Sequence, residues 1–288
     1  DMKNARLLDD SSLLNDDNGS VSFEFECEES GFYELKLDYI PLQGSAGYIQ
    51  RSIYLNSALP FSEAEGVHFS RAFYDEFKPK APGEKIKGNQ NFPKQIEKDM
   101  LLSAKAADAL GYNPNPLLFY IEKGKNTLTL SSLQEKMKIV GLSFEKPRKI
   151  PSYEEYMKDC ENKGIKKIEN ASIVVQAENS LYKSDPSLHP ICDRSSSATE
   201  PNHPSFIVMN AIGADAWNAP LEWISWEVEA EEEGLYRLSL RVKQNKLRGI
   251  YAIRKLYIND EVPFKEANEL RFYHTGGFKS LVLSKNKT

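Results

Sequence analysis

Cysteine is scarce in this chain. Its 288 residues include three, Cys27, Cys160 and Cys192. They are far apart and odd in number, which excludes a disulfide framework or a paired-cysteine zinc site. Basic charge is not in excess either: 37 Lys and Arg stand against 42 Asp and Glu, a formal charge of −5. A nucleic-acid partner calls for a basic face and a membrane-surface anchor for a polybasic one, so neither is expected. Long apolar runs are missing too. Stretches such as "NPLLFYI" fall far short of the ~20 residues of a membrane helix, so no direct membrane insertion is expected. The opening "DMKNARLLDDSS" has no apolar core and does not read as a secretory leader, although a mature secreted fragment would open in the same way.

Motifs of catalysis are also lacking. There is no G-x-S-x-G, no H-E-x-x-H and no P-loop, and a non-enzyme is expected. His68, His189, His203 and His274 show no ligand spacing, and "HPIC" at 189–192 lacks further metal partners. A glycosidase needs two facing carboxylates, but the acidic residues of "EFECEE" and "EVEAEEE" fall on wet strand faces and in turns. "NDDNG" at 15–19 starts like a calcium loop without the later ligands or the closing Glu, so a turn is expected there.

What the chain does have is an internal repeat. Residues Ser22–Phe69 align without a gap on Ser225–Phe272, and 18 of the 48 positions are identical. "RSIYLNSALPFSEA" at 51–64 returns as "RKLYINDEVPFKEA" at 254–267. The period is far longer than that of a solenoid, so the repeat reads as a duplicated domain. Period-two alternation in "VSFEFECEE" and "ISWEVEAE" gives strands with one buried and one wet face, which places Cys27 and Trp226 in the core. "LLFYIEKGKNTLTL" at 117–130 reads as two strands around a hairpin. Several short strands of this kind suggest antiparallel sandwiches. Arg51 with Glu63, and Arg254 with Glu266, recur in both copies and are expected to brace the turn as ion pairs.

Two helices are expected outside the sheets. "PSYEEYMKDCENKG" offers Ser152 as N-cap, Glu155 as its capping-box partner, and the stripe Tyr153, Tyr156, Met157, Cys160. "PKQIEKDMLLSAKAADAL" predicts a helix near 93–110. The domain reading is therefore 1–147 for copy one with that helical insertion, 148–170 for a helical linker, and 171–288 for copy two. Copy two has no counterpart of "LLFYIEKGKNTLTL" and reads as truncated at its C-terminus, either an excerpt of a longer chain or a chain with residues omitted near the end.

Binding chemistry concentrates in copy two. "LRVKQNKLRG" supplies Gln244, Asn245 and Arg248, whose amides and guanidinium can pair with sugar hydroxyls. All three tryptophans lie there as well. Trp217 reads equally as a sugar platform or a loop anchor, and Trp223 has the outward parity.

"AEN" at 177–179, "GLYRLSLRVKQN" and "RKLYIND" together resemble elements of carbohydrate-binding module families 6 and 35, which are galactose-binding-like β-jelly-rolls. "YKSDPSLHPICDRSSSATEP", "LRG" and "RKLYINDEVPFKEA" resemble more closely the tandem sandwich domains of large extracellular solute-binding proteins of Gram-positive sugar transporters. The resemblance implies an all-β chain of two tandem jelly-roll β-sandwiches joined by a short helical connector. It implies non-catalytic binding of a polysaccharide or oligosaccharide at the cell surface, with sugars held by loop aromatics and an Asn; with the residues nominated above, the expected carbohydrate-binding set is Trp217, Trp223, Gln244, Asn245 and Arg248. It also implies a structural Ca2+ at Glu178, and partner domains within a longer transporter-associated chain. Asn245 matches the family's Asn, whereas Lys243 stands where the family has an aromatic. The alternative reading is a structural or protein-interaction module that positions a solute-binding domain and has no sugar site of its own.

Overall fold

The computed structural model describes residues 2–7, 12–45, 47–79, 83–169, 172–246 and 248–283, with the side chains of 2–7 excepted. Strand accounts for 39% and helix for 7%, so the chain is mostly β, built around a curled antiparallel sheet. Copy one contributes β1 (Met2–Leu7), β2 (Leu13–Cys27), β3 (Gly31–Pro41), β4 (Tyr48–Leu55), β5 (Val67–Ser70), β6 (Phe73–Asp75), β7 (Gln95–Glu97), β8 (Leu102–Lys105), β9 (Leu118–Ile121), β10 (Gly124–Gln134) and β11 (Met137–Glu145). Helix α1 (Tyr153–Asn162) follows. Copy two contributes β12 (Tyr182–Lys183), β13 (Pro190–Ile191), β14 (Ala211–Ile212), β15 (Ile224–Ser225), β16 (Ser239–Val242), β17 (Tyr251–Arg254), β18 (Leu270–Tyr273) and β19 (Lys279–Val282).

The large sheet curls because β10 and β11 follow one another along β2. Gly124–Ser131 pair with Cys27–Ser20, and Met137–Ile139 then pair with Asn15–Leu13 before β11 moves on to β3. Alternate residues Leu35, Leu37, Tyr39, Ile49, Ile53, Leu128 and Leu130 turn inward and are fully buried. Arg51 lies among them with no exposed surface. Its guanidinium donates to Asn15 Oδ1 at 2.6 Å and to the carbonyls of Gln50, Gln134 and Glu135 at 2.8–2.9 Å. Desolvation lowers its pKa to about 10. The expected Arg51–Glu63 brace does not form. Carbonyl oxygens satisfy the cation instead, and Glu63 is exposed.

Within the duplicated stretch, the β4–β5 unit and its counterpart β17–β18 fold in the same way. Arg51 pairs with Val67 across β4–β5, and Arg254 with Leu270 across β17–β18, a register preserved at every partner. Asn56–Ser57 and Asn259–Asp260 all have positive φ and close two-residue turns, a conformation that Asn and Asp tolerate better than most residues. Tyr33 donates its hydroxyl to the Glu29 carbonyl at 2.8 Å, and Tyr236 does the same to Glu232 at 2.7 Å. Ala64 and Ala267 are both fully buried under short 3-10 turns.

What covers the two copies differs. In copy one, β9 pairs with β3, and Phe119 packs on Phe61 at 5.1 Å between ring centroids. In copy two the connector takes that place. Phe264 is packed by Tyr153 and Tyr156 of α1 at 5.1 and 5.4 Å, while Lys167 bridges Leu235 in parallel. The Ser152–Glu155 capping box forms as read from the sequence, and Glu266 accepts from the Tyr153 backbone N–H at 2.8 Å, next to the positive end of the helix. Gly234 is needed for this strap, because a Cβ there would lie 2.6 Å from Ile168 Cγ1 and 2.9 Å from Lys166 O.

The copies share a sheet in the order β15-β12-β6-β7. Within it Lys183, fully buried, donates to Asp75 Oδ1 at 2.6 Å, and Gln95 donates to the same oxygen at 2.6 Å. Burial lowers the Lys183 pKa and the Asp75 charge opposes that shift. Nearby, Gln90 N–H donates to Ile207 O at 2.9 Å, and Met209 N–H donates to Gln90 Oε1 at 2.6 Å.

Several sequence expectations are corrected here. No helix forms over 93–110. Gln95–Glu97 and Leu102–Lys105 are strands, because open edges of β6 and β3 recruit them. The Asp108 carboxylate then gathers the N–H groups of Leu110, Tyr112 and Asn113 at 2.8–3.0 Å into a turn. Helix propensity loses to tertiary pairing. The stretch 117–130 does form two strands, but β9 joins β3 while β10 joins β2 and β4, so they cross over and do not pair as a hairpin. "NDDNG" belongs to β2 at a register shift and is not a turn. In copy two the strand expected over 224–231 stops at Ser225, and Trp226 is half-buried with its indole N–H on Ala177 O at 2.9 Å. A half-apolar strand needs a ladder on its edge, and none of the described residues supplies one there.

Four stability outcomes are expected. Lys183→Ala strands the Asp75 charge in the interior and lowers unfolding stability by about 3–5 kcal/mol, read from the urea midpoint. Lys163→Ala removes an exposed i,i+4 partner of Asp159 and leaves that midpoint unchanged. Gly234→Ala lowers the melting temperature by several degrees, whereas Gly31→Ala, whose Cβ would meet nothing closer than 3.7 Å, has little effect.

Candidate functional site

Strand β14 is followed by Gly213, whose φ of +90° turns the chain back on itself. The Ala216 and Trp217 N–H groups both donate to Gly213 O, at 3.1 and 3.3 Å. This turn lays the Trp217 ring on the glycine, where a Cβ would sit 3.2 Å from Cε3. The guanidinium of Arg254 lies 4.3 Å from the ring centroid and donates to Trp217 O at 2.8 Å. The indole N–H donates to Glu222 O at 3.3 Å. Trp217 is therefore a half-buried ring, fixed by a cation–π contact on one face. Burial lowers the Arg254 pKa and raises that of Glu222.

The loop between β16 and β17 stands beside this turn. Gln244 N–H donates to Thr275 Oγ1 at 3.0 Å, and Gln244 O accepts from Thr275 N–H at 2.8 Å and from Thr275 Oγ1 at 3.4 Å. Gln244 Oε1 accepts from Lys246 N–H at 3.0 Å, so its amide carbonyl serves its own loop. Lys246 Nζ lies 2.9 Å from Asp215 Oδ2 and ties the loop to the one that carries Trp217. Asn245 and Arg248 are exposed. The structure thus gathers Trp217, Gln244, Asn245 and Arg248 on neighbouring loops.

Trp223 and Glu178 lie elsewhere. Trp223 is half-buried at the margin of the shared sheet and exchanges bonds with Ser184 at 2.9 and 3.0 Å. Glu178 is buried at 1% exposure. Its Oε1, together with Asn179 Oδ1 and Ser180 Oγ, has no hydrogen-bond partner among the described residues. Desolvation lifts the Glu178 pKa to about 7, slightly offset by a backbone N–H. Among the described residues, no group of three or more His, Cys, Asp or Glu could hold a metal ion. Nor, among them, is any helix long and apolar enough to cross a membrane.

Sequence reasoning missed two features. Arg254 was read as turn architecture, and its equivalent Arg51 is architecture, yet Arg254 also clamps Trp217. The second is Lys243, which stands where an aromatic was expected. Lys243 Nζ pairs with Asp193, donates to Ser195 Oγ at 3.0 Å and lies 5.3 Å from the Phe278 centroid. Burial opposes the Asp193 charge, but Lys243 and Ser195 together hold its pKa below the usual carboxylate value. The aromatic at this position comes from across the β16–β19 pair, where Val242 faces Lys279, next to Phe278. No short-range pattern encodes that substitution.

Comparison with protein-family models finds no match, and a search of curated proteins finds no relative.

The pKa of Glu178 sets a pH dependence. Its folded pKa of about 7 exceeds the ordinary carboxylate value, so the native state binds the proton more tightly than the unfolded one. Stability is then full below about pH 4.5 and falls as pH rises through 7. Thermal melts of the wild type are expected to lose several degrees between pH 5 and pH 8, and Glu178→Gln to flatten that slope.

Proposed function

We propose that this chain is a non-catalytic, extracellular glycan-binding module within a sugar-uptake or surface protein, and that the rim of copy two carries the binding. One observation supports this reading above others. The Lys246–Asp215 contact links the loop that carries the exposed Asn245 and Arg248 to the loop that carries Trp217, whose ring Arg254 holds in place. Such a rim combines paired donors and acceptors for hydroxyl groups with an apolar surface for a sugar's C–H face. Gln244 shapes the loop, and Trp223 steadies the margin of the shared sheet below it. Binding of this kind is shallow and weak.

A structural Ca2+ fits the same reading. Glu178 Oε1, Asn179 Oδ1 and Ser180 Oγ are hard oxygen donors without partners among the described residues, and a cation would offset the desolvation that raises the carboxyl pKa. They would hold the ion together with backbone carbonyls or water. Its role would be to fix the fold of copy two, with no part in chemistry.

A second reading is a structural or protein-interaction module that positions a solute-binding domain. The observation in its favour is the exposed apolar set Val228, Leu238, Ile253 and Ile258 on copy two.

Titration of the purified chain with oligosaccharides and polysaccharides, with and without Ca2+ and followed by tryptophan fluorescence, tests both. The glycan reading expects a saturable signal that falls at least tenfold on Asn245→Ala and on Arg248→Ala, both exposed and dispensable for folding. Silence across the panel would leave the structural reading.

A further inference from the structure

The duplication allows one strand to be read twice within the same chain. Strand β4 is Tyr48–Leu55, and its counterpart in copy two is 251–258. Three of these eight positions are identical: Tyr48 with Tyr251, Arg51 with Arg254, and Tyr54 with Tyr257. The apolar positions have drifted. Ile49, Ile53 and Leu55 are buried in copy one, and Ala252, Leu256 and Ile258 stand in their places. Arg51 is held by its cage of carbonyls. The tyrosines have no such account. Alternation along β4 turns Tyr48, Gln50 and Tyr54 to the outer face, where Tyr48 is 41% exposed; in copy two Tyr257 is 54% exposed. Packing retains what it buries, yet these two rings are retained on the wet side of a strand whose core side has changed.

Tyr48 is presented as a fixed, flat ring. It faces Ser70 across β4–β5, and Gln50 faces His68. The His68 imidazole stacks on the phenol ring with centroids 3.9 Å apart and planes 18° apart. Burial lowers the His68 pKa, so the imidazole behind the ring is neutral at pH 7. His68 covers one face of Tyr48, which leaves the other face and the edge as the exposed part. Gln50 Nε2 lies 3.3 Å from His68 Nε2 and sets an amide beside the stack. Towards the far end, Tyr54 faces Thr129, whose Oγ1 lies 2.7 Å from Ser22 Oγ, so a row of hydroxyls runs on to β2. In copy two the partners of the retained tyrosine differ, but it is again held from the facing strand. Tyr251 has the Tyr273 ring at 5.2 Å and the Arg271 guanidinium at 5.0 Å from its centroid. The outer positions of β4 and the facing stretches 67–70 and 127–131 hold no Asp, Glu, Lys or Arg.

We propose that the outer face of β4 is a second carbohydrate subsite, separate from the rim of copy two, and that it takes an uncharged oligosaccharide laid along the strand. The C–H face of one pyranose stacks on the open face of Tyr48. Its hydroxyls pair with the Gln50 amide, which offers both donors and an acceptor. Tyr54 lies about 20 Å further along the strand at ~3.3 Å per residue, so the face suits several linked sugars and not a single one. There the hydroxyls of Thr129 and Ser22 both donate and accept. Glu24, exposed opposite Thr127, repels a uronate or sulfated chain from that end. The Tyr48 ring is already held by His68, so little side-chain freedom is lost on binding. This inference rests on the glycan reading of the chain and adds a site to it.

The test uses the full chain and neutral oligosaccharides from a glucan, a xylan, a mannan and a galactan, with oligogalacturonate as the charged control. Binding at this face is read from the NMR shifts of the Gln50 side-chain amide and of the Tyr48 and Tyr54 backbone N–H groups, and binding at the rim from tryptophan fluorescence. The expected result is saturable shifts at Gln50 and Tyr48 with at least one neutral oligosaccharide, unchanged in the rim variant Asn245→Ala, Arg248→Ala. Tyr48→Ala, which removes an exposed ring, should weaken that binding at least tenfold without moving the melting temperature. Tyr48→Phe keeps the ring and should retain it, and oligogalacturonate should bind at least tenfold more weakly. Sugar signals confined to the rim would overturn this inference and leave the glycan reading standing. Absence of any sugar signal would overturn both. Binding at Gln50 that survives Tyr48→Ala would overturn the aromatic platform, and equal binding of oligogalacturonate would overturn the uncharged class. Shifts at Tyr48 that grow with protein concentration in the absence of sugar would also overturn it, and would assign the face to a second copy.

Discussion

An ammonium group with no access to water governs how this molecule is assembled. Lys183 comes from copy two and Asp75 from copy one, and neither charge is tolerable in the interior without the other. Their pairing fixes the lateral position of β12 against β6, and with it the register of the sheet the two copies share. Gln95 completes the carboxylate and pins β7 on the far side. A sheet made from both copies is a main-chain ladder, so the junction carries directional bonds as well as packed side chains. The copies therefore behave as one body at this seam.

Duplication preserved the parts whose logic is local. The β4–β5 unit and its second version agree in register, in the positive-φ turn, in the buried alanine and in the tyrosine that reaches back four residues. Each of these depends on contacts within a short span of chain. The covers above the units depend on distant segments, and those diverged. A strand lies over Phe61, and a capped helix with a parallel strap lies over Phe264. The connector is thus a structural part of copy two.

That distinction also explains what the sequence disclosed. The repeat, the strand–turn units and the capping box of α1 were legible because backbone propensity, alternation and capping all act within a few residues. The stretch 93–110 misled because its Ala, Leu and Lys content favours helix, while two unpaired edges elsewhere in the fold claim it as strand. Arg51 misled for a related reason. A nearby Glu63 suggests an ion pair, but the cation is satisfied by carbonyls contributed from Asn15 to Glu135, and carbonyls leave no mark in a sequence. At the rim, residue types and their loops were readable, and their mutual placement was not. That the Trp217 ring is clamped by Arg254 depends on a turn at Gly213 and a strand end forty residues later.

The strap of residues 166–168 along Leu235 has a consequence for multivalency. Two modules on a loose tether meet a long ligand with an effective concentration averaged over every tether conformation. Here the tether is folded into one of the modules and the two share a ladder, so the span between any groups they present is preset. Any partner that touched both copies at once would meet that fixed spacing, with no tether entropy to lose.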